Sequence, residues 1–164
     1  MSKAKTDPSF FALKGDEDNR IQFASFNADG TRFVAINGDR EEDRNKLWFH
    51  DGTTGKRVDS IPLDYEPDHP DWSPDGNMIA FTHVGIHHTS QQSFSHSIDL
   101  ITRTETGWSA PVNIVPRVPA KSRFNPNFAP DSSFFLYTES SCPSGKEPAL
   151  DDLWADEGAE CDGD

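Results

Sequence analysis

The chain has 164 residues, of which 34% are apolar, and its mean hydropathy is −0.71. Its 12 prolines and 11 glycines argue against a helical bundle, because both residues interrupt helices. A net charge of −13 argues against nucleic acid as a partner, since phosphates would be repelled, and no run approaches the about 18 apolar residues of a membrane helix. We therefore expect an all-β protein that neither binds nucleic acid nor inserts into a membrane.

The N-terminal segment, residues 1–20, contains one short apolar run at residues 8–13. This run predicts a lone strand that belongs to a neighbouring sheet. The segment has no apolar region followed by a cleavage site, so it does not resemble a secretory signal.

Residues 21–63 form the first predicted unit of four strands. Phe26 lies three positions before Asp29, a glycine follows the aspartate, and the apolar run 32–36 comes next. Aspartate bonds the nearby backbone in tight turns, and glycine accepts a positive φ without strain. Two more strands are predicted on either side of residues 51–55, with a long loop before them.

Residues 64–120 form the second predicted unit, which repeats this order. Trp72 lies three positions before Asp75, and the apolar run 78–82 follows. Two further strands are predicted around the turn at residues 104–107, again after a long loop.

Residues 121–141 begin a third unit that is incomplete. Phe128 lies three positions before Asp131, but Ser132 replaces the glycine of the other turns. The run 134–138 supplies a second strand, and the sequence then predicts no full third or fourth strand.

The apolar runs after the turns are continuous rather than alternating, which is typical of strands buried on both faces. Stacked propeller blades provide such burial. The turn aspartates are 46 and 56 residues apart, near or above the ~40–45 residues of a four-stranded blade. We therefore predict a partial β-propeller of four-stranded antiparallel blades, with two full blades and part of a third. The turn residues, predicted to be structural, are Asp29, Asp75, Asp131, Phe26, Trp72 and Phe128.

These segments resemble the TolB-like (WD-like) β-propeller repeat, whose signature is an aromatic residue, Ser-Pro-Asp-Gly and an Ile-Ala-Phe type of strand. Residues 72–81 match it almost completely, whereas the first and third units match it in part. The resemblance covers about residues 21 to 139 and implies a propeller that binds proteins or ligands. It brings no catalytic residues with it.

The C-terminal segment, residues 142–164, is acidic and contains both cysteines of the chain, Cys142 and Cys161. The two could form a disulfide in an oxidising compartment, or remain free thiols. Carboxylates are calcium ligands, although their spacing here does not match an EF-hand loop. A solvated tail and an irregular calcium site are the two alternatives. The carboxylates of the predicted site are Asp151, Asp152, Asp156, Glu157, Glu160 and Asp162.

Four histidines fall within one stretch of the second unit: His83, His87, His88 and His96. Imidazoles bind zinc, copper or nickel, so a transition-metal site is one alternative. Their spacing matches no known zinc signature, and a hydrogen-bonded loop is the other alternative.

The sequence contains no motif for a nucleophilic serine or cysteine, a phosphate-binding loop or haem attachment. We therefore predict a non-catalytic module that binds a protein or ligand. An arc of three blades would leave two open sheet faces, which predicts self-association or binding to a protein partner. The alternatives are the propeller part of a larger hydrolase or electron-transfer enzyme, and a calcium-stabilised extracellular scaffold. The resemblance and the cysteines favour a periplasmic or extracellular location, whereas the missing signal favours the cytoplasm. We predict a periplasmic or extracellular protein whose export signal has been removed.

Overall fold

The computed structural model describes residues 21–37, 41–84, 96–118 and 121–141. Within these ranges the chain forms short antiparallel strands and one helix of four residues. In chain order the elements are β1 (Gln22–Phe26), β2 (Arg32–Ile36), α1 (Glu41–Arg44), β3 (Lys46–Asp51), β4 (Arg57–Pro62), β5 (Pro67–Trp72), β6 (Met78–His83), β7 (Ser97–Thr104), β8 (Gly107–Trp108), β9 (Val112–Val115), β10 (Lys121–Phe128) and β11 (Phe135–Ser141).

The first sheet is a meander in which β1, β2, β3 and β4 pair in chain order. Its third connection is a tight turn in which the Asp51 carboxylate accepts the N–H groups of Thr53 and Thr54, at 3.1 and 2.7 Å. The Gly52 N–H donates to the Thr31 carbonyl at 2.7 Å, so this turn lies against the turn between β1 and β2. The two turns are therefore held together at one end of the sheet.

The second sheet follows the same order from β5 to β7, but its outer strand is in two pieces. Both β8 and β9 pair with β7. Between them, the Ser109 N–H donates to the Thr102 carbonyl at 2.9 Å, and the Ser109 hydroxyl accepts the Thr102 N–H at 3.0 Å. The serine side chain thus replaces a backbone acceptor, and Pro111, which has no N–H, directly precedes the second piece.

The third sheet consists, within the described residues, of the hairpin formed by β10 and β11. Strand β10 contacts β5, β6 and β7 of the second sheet, just as β5 contacts β1 and β2 of the first. The three sheets therefore pack one after another in chain order.

The largest apolar core lies between the first and second sheets. Val34 and Phe49 of the first sheet pack there with Trp72 and Phe81 of the second. The Phe49 and Trp72 rings meet edge to face, with their centroids 5.4 Å apart. Because β2 and β6 each contribute a run of four buried residues, both faces of these strands are covered, as the continuous apolar runs predicted.

The all-β prediction is confirmed: the described part of the chain is built of antiparallel sheets. One difference is α1, which lies in a stretch that was predicted to be a loop. Asp43 anchors this helix, since its backbone carbonyl accepts the Trp48 indole N–H at 3.4 Å and its carboxylate pairs with Arg57 at 3.2 Å. None of the helices in the described ranges has the length and apolar character required to cross a membrane.

Candidate functional site: the inner strands and their outward faces

We call β1, β5 and β10 the inner strands, and each forms a hairpin with the strand after it. All three carry a bulge at the same place, where the pairing register shifts. One residue in each bulge has a positive φ: Phe23 at 50°, His69 at 43° and Asn125 at 53°. Left-handed backbone is costly for residues other than glycine, so its occurrence at three equivalent positions indicates that the inner strands follow one path.

The predicted turn aspartates perform the same task in all three hairpins. The carboxylates of Asp29, Asp75 and Asp131 accept the N–H of the second residue after them, at 2.9, 3.0 and 3.1 Å. Side-chain hydrogen bonds are also the main reason that the pKa of each aspartate is lowered; the donors are Thr31, Ser73 and Ser133. These hydrogen bonds stabilise the turns.

The aromatic residues of the motif have different environments. Trp72 is 5% exposed and belongs to the core between the first two sheets. Phe26 is 50% exposed, and Phe128 is half-buried. The three positions are equivalent, and the first sheet covers Trp72. The exposure of Phe26 shows that no described residue covers Phe26 in the same way.

Ser132, the least expected residue of the third turn, has a role that the sequence did not indicate. It adopts a φ of 61°, close to the 70° and 78° of Gly30 and Gly76 at the equivalent positions. Its hydroxyl accepts the Asp75 N–H at 3.0 Å. The side chain therefore joins the third turn to the second, which a glycine could not do.

A repeated hydrogen bond joins consecutive inner strands. The Ser25 hydroxyl accepts the Trp72 N–H at 2.9 Å, and the Asp71 carboxylate accepts the Phe128 N–H at 2.6 Å. Ser25 also donates to Asp71 at 2.9 Å. We call the two bonds from a backbone N–H to a side chain junction bonds. Asp71 is the acceptor in the second of them and bonds Ser25, the acceptor in the first.

The junction bonds exist because each inner strand is the edge of its sheet. Ser73 and Ala129 donate their N–H groups inside the hairpin, to Met78 and Phe134. Backbone N–H groups alternate in direction along a strand. The N–H groups of Trp72 and Phe128, one residue earlier, therefore point away from the hairpin. A buried N–H without a partner is costly, and the polar residue of the preceding inner strand supplies the acceptor.

The junction residues were not predicted, although the sequence carries a signal for them. Ser25, Asp71 and Asn127 each come directly before the motif aromatic, and all three can accept a hydrogen bond. A hydrogen-bonding residue at this position in every unit could have been noticed. Its partner could not have been inferred, because that depends on how one sheet packs on the next.

Two outward sheet faces expose apolar side chains. On the first sheet Phe26 lies over Phe33, with ring centroids 5.1 Å apart; we call this the leading face. On the third hairpin Phe134 and Leu136 are 57% and 67% exposed; together with Asn127 they form the trailing face. Ala80, which is equivalent to Leu136 in the second hairpin, is fully buried, so the trailing face is the counterpart of a surface that is covered elsewhere in the chain.

A separate polar cluster surrounds Asp99, a buried carboxylate of β7. It accepts hydrogen bonds from the Tyr65 hydroxyl, from Asn113 at 2.6 Å and from His83 Nδ1 at 3.2 Å. Burial alone would raise the pKa of Asp99, but the bonds from His83, Asn113 and Tyr65 outweigh it and lower the pKa. Burial, and then the bond to Asp99, raise the pKa of Tyr65. The cluster fixes the end of the second sheet against the residues that connect β4 to β5.

The predicted metal sites lie mostly outside the described residues. His87, His88, both cysteines and the six carboxylates of the predicted calcium site belong to the ranges that the structure leaves undescribed, as do residues 1–20. His83 lies at the end of β6 and bonds Asp99, and His96 directly precedes β7 at the same end of the sheet. Within the described ranges, no group of three or more histidine, cysteine or acidic residues is arranged to hold a metal ion.

No protein-family model matches the chain, and no curated protein matches it either. The resemblance to TolB-like repeats therefore stays a prediction from the turn and strand motifs.

Proposed function

We propose that the chain is a non-catalytic binding module, a partial β-propeller that associates with protein through its leading and trailing faces. The observation that carries this proposal is the exposure of Phe26 and Leu136, whose equivalents in the second hairpin, Trp72 and Ala80, are buried. Apolar sheet faces of this kind mark interaction sites on soluble proteins. Association would bury them as the internal sheets bury their own.

The propeller arrangement is supported by three features. The hairpins share a bulge and a turn at equivalent positions. The inner strands contact one another in chain order, and the outer strands β4 and β9 lie at the opposite edges of their sheets. Blades arranged around an axis have their first strands at the centre and their last strands outside.

The leading face is limited to the inner part of the first sheet. Farther out, the Trp48 ring carries the Arg57 guanidinium at 4.0 Å and the Lys46 ammonium at 5.1 Å from its centroid, and Asp43 of α1 pairs with both cations. Closer in, Phe33 and Ala35 of β2 are already buried within the chain, whereas Phe26 of β1 is exposed. We therefore expect a partner to contact mainly β1.

Hydroxyl-radical labelling of the full chain at 0.5 and 50 µM tests the proposal. Association should protect Phe26, Phe134 and Leu136 at the higher concentration. Val58 and Val112, on outer strands and 49% and 59% exposed, are matched controls whose labelling should not change. The proposal would be contradicted if labelling of the face residues, like that of the controls, did not change between the two concentrations. The faces would then be uncovered at both.

A further inference from the structure

The junction bond has a direction along the described hairpins, so the first and the last hairpin of this described series each lack one of its two partners. In each junction the earlier hairpin supplies a side-chain acceptor and the later one a backbone N–H. The third hairpin thus carries an acceptor position without a later hairpin among the described residues, and the first carries an N–H without an earlier one. These two positions are Asn127 and Phe26.

The geometry of β1 supports the assignment of Phe26. Asn27 donates its N–H inside the first hairpin, to Arg32 at 3.0 Å, as Ser73 and Ala129 do in the others. The Phe26 N–H therefore points away from the hairpin at the edge of the sheet, as the Trp72 and Phe128 N–H groups do. No residue in the described ranges accepts it.

The chemistry of Asn127 supports the other half. Its side chain has the length of Asp71, and its amide oxygen is an acceptor. Its amide nitrogen donates to the Asn125 carbonyl at 3.3 Å, which leaves the oxygen as the group available for a junction bond. Leu136, directly opposite Asn127 in the pairing of β10 with β11, supplies apolar surface beside it.

We propose that a second copy of this chain docks head to tail, with Asn127 of one copy accepting the Phe26 N–H of the other. The trailing face of one copy then lies against Phe26 of the next, and the hydrogen bond between them repeats the junction bond that occurs twice among the described residues of each chain. The described residues of two copies supply six inner strands, three from each copy, and six lies within the four to eight blades of known rings. This inference rests on the proposed function and names its partner.

Sedimentation velocity of the full chain, the variants Phe26→Lys and Leu136→Asp, and their mixture tests the inference. Each variant alone should remain monomeric, because every head-to-tail contact would bury a charge. An equimolar mixture should form dimers again, since one unmodified trailing face then meets one unmodified leading face. Val58→Asp, a control on an outer strand, should dimerise like the unmodified chain.

Asn127 is tested separately, because the junction bond is one part of the contact. Asn127→Ala removes the junction bond at both contacts of a ring of two copies, so it should weaken dimerisation by about tenfold to a hundredfold. Asn127→Asp, which keeps the acceptor, should restore most of it. Because each copy has a net charge of −13, added salt should strengthen dimerisation by screening the repulsion.

Three outcomes separate this inference from the proposed function. Dimers that Leu136→Asp disrupts but Phe26→Lys leaves intact would overturn head-to-tail docking while leaving the binding role of the trailing face. Dimers unaffected by Asn127→Ala would overturn the junction bond alone. An unmodified chain that stays monomeric at 50 µM would overturn the inference, and labelling of uncovered faces in the same sample would overturn the proposed function as well.

Discussion

Replacement of Asp71 is the most direct test of how the three sheets are joined. Asp71→Ala removes the acceptor of the Phe128 N–H and the partner of the Ser25 hydroxyl. Hydrogen bonds to a charged group contribute roughly 1.5–3 kcal/mol each. Because Asp71 is half-buried, we expect the lower part of that range for each of the two bonds, and thus a loss of about 3–4 kcal/mol in the free energy of unfolding.

Two milder variants keep the prediction testable if Asp71→Ala does not fold. Asp71→Asn retains an oxygen for the Phe128 N–H and an amide group for Ser25, so it should cost only about 1 kcal/mol. Ser25→Ala removes the acceptor of the Trp72 N–H and should cost about 1–2 kcal/mol. In a double-mutant cycle, Ser25→Ala and Asp71→Ala should be coupled by about 1 kcal/mol, because they remove a shared bond.

Urea unfolding followed by tryptophan fluorescence provides the measurement, since Trp72 lies next to the junction. Glu105→Ala, in the exposed turn before β8, is the surface control and should change the free energy of unfolding by less than about 0.5 kcal/mol. The reasoning is refuted if Asp71→Ala is no more destabilising than this control. It is also refuted if the effects of Ser25→Ala and Asp71→Ala are additive.

Three further predictions concern single sites. Gly52→Ala should destabilise the chain by about 2–3 kcal/mol in urea unfolding, because its Cβ would lie 2.0 Å from the Gly30 carbonyl oxygen. Gly76→Ala, with open space around the Cβ but a φ of 78°, should cost only about 1 kcal/mol. Tyr65→Phe should cost about 1–2 kcal/mol, and a stability equal to that of the unmodified chain would show that the bond to Asp99 contributes nothing. The lowered pKa of Asp99 means that its contribution is complete above the ordinary pKa near 3.9 and is lost as the pH falls through the lower folded value. Asp99→Asn should therefore lose less stability than the unmodified chain when unfolding is compared between about pH 5 and pH 2.

The strands and turns could be predicted because their chemistry is local. An aspartate that bonds the backbone two residues later, followed by a residue that tolerates positive φ, defines the same turn in all three hairpins. The apolar runs after these turns predicted strands with two covered faces, and β2 and β6 have them. Ser132 departed from the glycine of the other turns, and its bond to Asp75 is a tertiary contact that no local pattern encodes.

The contacts between the sheets could not be predicted, because they join residues far apart in the chain. Asp99 lies in the apolar strand β7, and nothing near it in the sequence indicates that Tyr65 and Asn113 would reach it. The break in the outer strand was missed for the same reason: it depends on Ser109 taking the place of a backbone acceptor beside Thr102. Both features follow from sheet packing and register rather than from propensity.

The inner strands show why a polar residue precedes the motif aromatic. An edge strand presents every second N–H to its surroundings, and close packing of the next sheet removes the water that would otherwise satisfy that group. The acceptor must then come from a neighbouring side chain, which Ser25 and Asp71 provide. An apolar residue at either position would bury an N–H without a partner, at about 1–3 kcal/mol. The aromatic residue that donates this N–H also fills the space between the sheets, as Trp72 does, so the polar and aromatic residues together form one unit of contact that joins each sheet to the sheet before it.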